Sequence, residues 1–309
     1  MLLRPTLRKF LVLAVAFAAL LGVGTTPAGA EPPLPGRQLL FYNHAYGVLD
    51  RETADAIANS AYLREFANFQ LRTTTGAGGQ TWTGRYLLGH ETYLELFGEG
   101  DLPAPDDNFG STGMGLSTER AGDLATVVRR LTAMGIANPI KFDQTRDFGD
   151  GVPVPWFTAV FTSDQYDRFG AWGMEYRPEY FADPRSDTEP PNYPGDVGRE
   201  RYLSDGYRDH LMRDVSGIRL AVTARDLANT VPLLRAGGFL VASLPNGAVA
   251  TRGGTTLRFD AVPLAEVGLK QVEFALNRPV VGRHEERIGR STLAVGPGPR
   301  AVWTFAGPA

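Results

Sequence analysis

Three short apolar stretches of this chain each carry one embedded carboxylate: Thr92-Tyr93-Leu94-Glu95-Leu96-Phe97, Trp172-Gly173-Met174-Glu175-Tyr176 and Gln271-Val272-Glu273-Phe274-Ala275. Each follows, by roughly 50–65 residues, a segment that reads as a strand running into a helix, as repeated supersecondary units do. A charge among apolar and aromatic neighbours in a strand is costly unless it is paired, hydrogen-bonded or metal-bound. Meeting that cost at the same place in successive repeats implies a cleft built by repeated units.

The elements between these strands support the repetition. Leu39 to Leu49 reads as a strand, Asp50 as the cap of a helix over Arg51 to Ala67, and Phe69–Thr75, Trp82–Leu88 and Glu91–Phe97 as strands. The order is β-α-β-β-β. A second pass has Ser111–Ser117 as strand and Arg120–Met134 as helix, capped by Thr118 or Ser117 and stopped by Gly135. Ile140–Asp147, Trp156–Thr162 and Trp172–Tyr176 are its strands. A third pass has Ile218–Thr223 as strand, Ala224–Arg235 as helix, then strands over Phe239–Leu244, Ala248–Phe259 and Lys270–Leu276, with one last strand within Ser291–Phe305. The expected fold class is α+β, with repeated β-α-β-β-β units forming curved mixed sheets. Units at 38–100 and 110–181 pair, a Pro-rich linker or lid spans 182–214, and a third unit plus a C-terminal strand fills 215–309.

Alternation gives a first picture of the cleft. Tyr42, His44 and Tyr46 share one face of the first strand, and Tyr93, Glu95 and Phe97 share one face of the fourth. Where those faces meet, the lining is aromatic with one imidazole and one carboxylate, which suits a small, partly apolar, oxygen-bearing ligand. Trp82, Tyr86, Trp156 and Trp172 either join this lining or pack as ordinary core. Arg85 either neutralises Glu95 or holds an anionic group of the ligand. The plain structural alternative makes His44 a hydrogen-bonded, half-buried histidine and pairs the glutamates with Arg85, Arg146 or Arg177.

The β-α-β-β-β unit, its first-strand His and its fourth-strand Glu together resemble the vicinal oxygen chelate superfamily, which includes glyoxalases, bleomycin-resistance proteins and extradiol dioxygenases. The strings Asn43-His44-Ala45-Tyr46, Thr81-Trp82-Thr83-Gly84-Arg85-Tyr86-Leu87 and Trp172-Gly173-Met174-Glu175-Tyr176 are similar to those of an uncharacterised family of secreted bacterial glyoxalase-like proteins. The resemblance implies paired units around a metal or ligand site. It assigns His44, Glu95 and Glu175 as metal ligands, and Glu95 and Glu175 as the carboxylates that move a proton. Tyr42, Tyr46, Arg85, Tyr93 and Trp172 become ligand-binding residues. One imidazole and two carboxylates suit a divalent ion with open positions. The second unit's first-strand position falls near Thr112, and the third unit's near Ile218 or Arg219, neither a strong ligand.

Composition narrows the partners. Arg4, Arg8 and Lys9, the apolar run Phe10–Leu21 and the Ala28-Gly29-Ala30 site read as a secretory signal cleaved after Ala30, followed by a flexible tail to Arg37. The expected location is therefore extracellular, without a stable membrane anchor. The first 30 residues hold three of the 31 basic residues and none of the 34 acidic ones, so the remainder carries 28 against 34, a net charge of −6. That balance disfavours nucleic acid. Cysteine is absent, which removes disulfides and thiolate chemistry.

Other candidates are weaker. His90 sits at a hairpin turn, and His210 and His284 in polar runs, so all three read as solvated. Asp106-Asp107-Asn108 suits calcium only by composition. No Gly-x-Ser-x-Gly elbow occurs. Three function classes stay open: a metal-dependent lyase, isomerase or dioxygenase acting on a small oxygenated or aromatic molecule, a sequestering protein without chemistry, and an interaction module, including a homodimer.

Overall fold

The computed structural model describes residues 36–308. The signal, its cleavage site and most of the tail lie outside the described residues. Unit one is β1 (Phe41–Leu49), α1 (Arg51–Asn59), α2 (Ala61–Phe66), β2 (Asn68–Thr75), β3 (Thr81–Leu88) and β4 (Tyr93–Gly98). The single helix expected over 51–67 is two. Asp50 caps the first by accepting from Thr53 N at 2.9 Å, and Ser60 starts the second by accepting from Leu63 N at 3.1 Å.

Unit two is β5 (Thr112–Ser117), α3 (Asp123–Ala133), β6 (Ile140–Arg146), β7 (Val154–Phe161) and β8 (Phe169–Tyr176). The two units form one eight-stranded mixed sheet, β2-β3-β4-β1-β5-β8-β7-β6. Each first strand runs parallel to its own last strand, and β1 and β5 run antiparallel at the centre. The outer strands nearly meet: Asp147 N donates to Thr75 O at 3.0 Å, and Ala77 N donates to Gln144 Oε1 at 2.8 Å. One corner of the sheet is thereby pinned as in a barrel.

The second half departs from expectation. After α4 (Pro178–Ala182) come β9 (Met212–Val222), α5 (Ala224–Gly237), β10 (Leu240–Leu244), β11 (Gly247–Thr251) and β12 (Thr256–Ala261). The strand expected over 248–259 is two strands, because Gly253 and Gly254 turn the chain at φ 73° and 89°, where a side chain is strained. The third unit closes with β12, parallel to β9, and not with Lys270–Leu276. That segment belongs to β13 (Gly268–Val280), antiparallel to β9 as β5 is to β1. It opens a fourth unit with β14 (His284–Ile288), β15 (Ser291–Val295) and β16 (Gly298–Thr304). Glu273 therefore stands on a first strand.

This fourth unit has no helix. The first unit's helices fill the gap: Arg290 N donates to Thr53 Oγ1 at 3.0 Å, and Phe66 meets Phe274 edge-on at 5.6 Å. The second sheet, β10-β11-β12-β9-β13-β16-β15-β14, repeats the order of the first.

The two sheets share one core. Leu40, Ala45 and Leu94 of the first pack in the same buried cluster as Leu269, Phe274 and Trp303 of the second. With apolar side chains spent on this shared interior, the opposite, concave face of each sheet is free to carry a site. Among the described residues no helix is long and apolar enough to cross a membrane.

Candidate functional site

The concave face of the first sheet holds a cavity of about 230 Å³. Its lining comes from both units and from the loop after β4. His44 and Tyr46 enter from β1, Trp82 from β3, Tyr93 and Glu95 from β4, Trp156 from β7, Trp172 and Tyr176 from β8, and Asp106 from the loop. Three of the four tryptophans of the chain line it. The fourth, Trp303, is buried in the shared core.

Two glycines make the geometry possible. His44 pairs with Gly115 across β1 and β5, and Tyr46 with Gly113. A Cβ on Gly115 would lie 2.6 Å from the His44 ring, and one on Gly113 would lie 2.1 Å from the Tyr46 ring. The rings of unit one thus occupy the space that unit-two side chains would need, which explains why only one imidazole reaches this cleft. Gly113→Ala is expected to cost about 1–3 kcal/mol through overpacking, read by urea unfolding, and to push Tyr46 into the cavity.

Burial sets the charge states. His44 stacks on Tyr93 at 4.5 Å, meets Trp172 edge-on at 5.4 Å, and its Nδ1 lies 2.7 Å from Asn43 Oδ1. Desolvation lowers its pKa from 6.5 to about 3, so the ring is neutral at physiological pH. Glu95 faces Tyr86 across β3 and β4. Desolvation raises its pKa from 4.5 to about 7, against the opposing pull of Arg72 and of a hydrogen bond from Tyr93. Arg72 stands 4.3 Å above the Tyr86 ring. Asp106 is also pushed up by burial, although the Tyr166 hydroxyl donates to it at 3.3 Å.

A strap of residues 183–211 covers one end of the face. Its Tyr202 stacks flat on Tyr176 at 3.8 Å and accepts from Asn43 Nδ2 at 2.9 Å. The buried Arg199 fixes the strap, donating to Glu119 at 2.6 Å, to Tyr42 O at 2.7 Å and to Glu91 at 3.0 Å. A segment read from the sequence as linker or lid is therefore tied down by a buried guanidinium.

Of the residues singled out in the sequence, His44, Tyr46, Tyr93, Glu95 and Trp172 converge on this cavity. Three do not. Tyr42 lies in the shared core, because a register shift between Tyr42 and His44 breaks the alternation. Arg85 turns to Asp101, at 2.6 Å, and to Asp55 of α1. Glu175 closes the N-terminus of α3, accepting from Gly122 N at 2.9 Å, Leu124 N at 3.0 Å and Thr118 Oγ1 at 3.3 Å.

The cap expected from Thr118 or Ser117 is thus made by a carboxylate from β8, since the residue at the N-cap is Gly122. Glu175→Ala is expected to lower stability by about 1 kcal/mol and to leave ligand affinity in the cleft unchanged, checked by unfolding and fluorescence titration.

Sequence reasoning missed Asp106 as a cleft residue, together with Gln80, Gln144 and Tyr176. Tyr176 had a signal, since it alternates with Met174 and Trp172 along β8. His90 is half-buried rather than solvated, 3.3 Å from Glu200 and beside the Tyr207 ring.

The cleft offers His44 and Glu95, but Glu175 is committed to α3 on the opposite face. Among the described residues, one group of three ligand-type side chains has its donor atoms within 4.8 Å: His90, Glu91 and Glu200. It lies outside the cleft, and there Glu91 already pairs with Arg199. The three-ligand set implied by the resemblance does not fit this cleft.

A profile described as "Family of unknown function (DUF5829)" matches residues 42–305. The chain belongs to this family. No curated protein matches it. Among solved structures, this family member is similar to a hypothetical protein from Staphylococcus aureus, at 11% identity and TM-score 0.47, covering 84% of this chain and 100% of that one. It is also similar to homoprotocatechuate 2,3-dioxygenase from Arthrobacter globiformis, at 10% identity and TM-score 0.40, covering 76% and 64%. A third is a xylose isomerase-like TIM barrel/4-hydroxyphenylpyruvate dioxygenase fusion protein, at 12% identity and TM-score 0.39, covering 76% and 35%. The chain spans about a third of that fusion protein and just under two thirds of the Arthrobacter dioxygenase.

Proposed function

We propose that this protein binds a small, partly aromatic, oxygen-bearing molecule in the cleft around His44 and Glu95. The observation that carries this reading is the convergence of three tryptophans, three tyrosines, one neutral imidazole and two carboxylates on a single cavity. Its volume, about 230 Å³, falls below that of clefts for drug-sized ligands, roughly 300–1,000 Å³, so the ligand is compact. The signal read at the N-terminus supports an extracellular location as part of the same proposal; N-terminal sequencing of protein from culture medium should begin at Glu31.

The test uses the intrinsic tryptophans. Native mass spectrometry of the purified protein is expected to find a co-purifying compact molecule, and its readdition should shift tryptophan emission in the wild type but not in Trp172→Ala. A stoichiometric divalent ion, lost on both His44→Ala and Glu95→Gln substitution, would instead make these two residues metal ligands and overturn their assignment to the small molecule. A second reading, proton transfer by Glu95, is supported by its pKa of about 7 within the cavity. On that reading Glu95→Gln abolishes turnover while the ligand still binds.

A further inference from the structure

We propose that the cleft's ligand is an organic cation, a compact substituted ammonium whose charge sits between the aromatic walls and the carboxylate of Glu95; this rests on the binding reading above. The lining is one-sided in charge. It contains Glu95 and Asp106 and eight Phe, Tyr or Trp rings, and no Lys or Arg. The nearest protein cations stand outside it. Arg72 lies over the Tyr86 ring, and Arg146 lies 5.4 Å over Trp156 while donating to Tyr180 Oη at 2.7 Å.

Three ligand charges can be compared. An anion would meet two carboxylates and no opposite charge within the walls. A neutral ring would fit the aromatic surface but would strip water from Glu95 and Asp106, leaving Glu95 only the Tyr93 hydroxyl and the pull of Arg72 and Asp106 only the Tyr166 hydroxyl. A cation gains the aromatic walls, Trp82, Trp172 and Tyr46 among them, by cation–π attraction and pairs with the carboxylate as well. The phenols Tyr46, Tyr93 and Tyr176 are held protonated by burial, aided at Tyr46 and Tyr93 by the charge of Glu95, so they add no competing charge. The second sheet offers a contrast. Its trough mixes Arg219, Arg258 and Lys270 with Asp260 and Glu266, and no tryptophan lines it. The aromatic, acid-only lining is a property of the first cleft, not of the fold.

The experiment titrates the full mature chain with three probes, read by tryptophan emission and calorimetry: benzyltrimethylammonium, neutral benzyl alcohol and anionic benzoate. The expected result is binding of the cation at least tenfold tighter than of the other two. Glu95→Gln should weaken cation binding at least tenfold and leave benzyl alcohol within twofold. Trp172→Ala should weaken both, which places the probes in the cleft. Benzyl alcohol or benzoate binding as tightly as the cation, with loss in Trp172→Ala, overturns the cationic class while leaving a small-molecule cleft. No change in emission or heat with any probe overturns both readings.

Discussion

Arg199→Ala is expected to cost about 3 kcal/mol, among the largest losses any single side chain outside the shared core would give. The guanidinium is 4% exposed, and its three acceptors come from three separate places: Tyr42 O on β1, Glu119 at the end of β5, and Glu91 before β4. Glu91 is 40% exposed, so water replaces that partner at little cost. The loss comes mainly from Glu119, already pushed upward by burial even with Arg199 beside it, and from the buried carbonyl of Tyr42. Arg199→Lys should recover less than half, because an ammonium cannot satisfy three acceptors in a planar fan. Urea unfolding measures the loss, and a change below about 1 kcal/mol would refute it. Loosening the strap also frees Tyr202 from Tyr176, so ligand affinity should fall together with stability.

Between pH 4.5 and 6.5 the His44 and Glu95 contributions to stability should nearly cancel, and single substitutions should expose them. His44 falls from 6.5 to about 3 on folding, so the unfolded chain binds the extra proton in this window and stability declines as pH drops. Glu95 rises from 4.5 to about 7, so the folded chain binds the extra proton there and stability declines as pH climbs. One slope offsets the other. In Glu95→Gln the histidine slope stands alone, about 1.4 kcal/mol per pH unit, and the variant should be about 2 kcal/mol more stable than wild type at pH 8. In His44→Gln the opposite slope appears, with stability highest near pH 4.5. Thermal unfolding across pH 4 to 8 checks both; parallel curves for the three proteins would contradict the assignment. A variant that gains stability while losing its ligand is the signature of a strained binding residue.

Much of this was legible in the chain itself, and the failures have local causes. The repeat order was readable because a helix between strands recurs at fixed places, with a cap at Asp50 and a glycine stop at Gly135. The fourth unit was not, because its helix is missing and helical periodicity was the marker for each repeat. Two glutamates in matching strands, Glu95 and Glu175, looked equivalent. Their neighbours differ in parity: aromatic residues flank Glu95 two positions away on each side, but Tyr176 is adjacent to Glu175. Since alternate residues of a strand face opposite sides, that offset placed Glu95 with the rings and Glu175 with α3. Tyr42 failed for a different reason, since an irregular pairing at Asn43 leaves no trace in residue pattern. Arg85 was read as a cleft residue from proximity alone, whereas its partners Asp55 and Asp101 come from a helix and a loop on the other side.

The pinned corner between Thr75 and Asp147 bears on selectivity. Sheets with free margins can splay to admit bulkier guests, but here the rims are stitched together, with Gln144 both serving as a stitch and lining the hollow. Guests too large for the enclosure would be turned away by size before their chemistry was sampled.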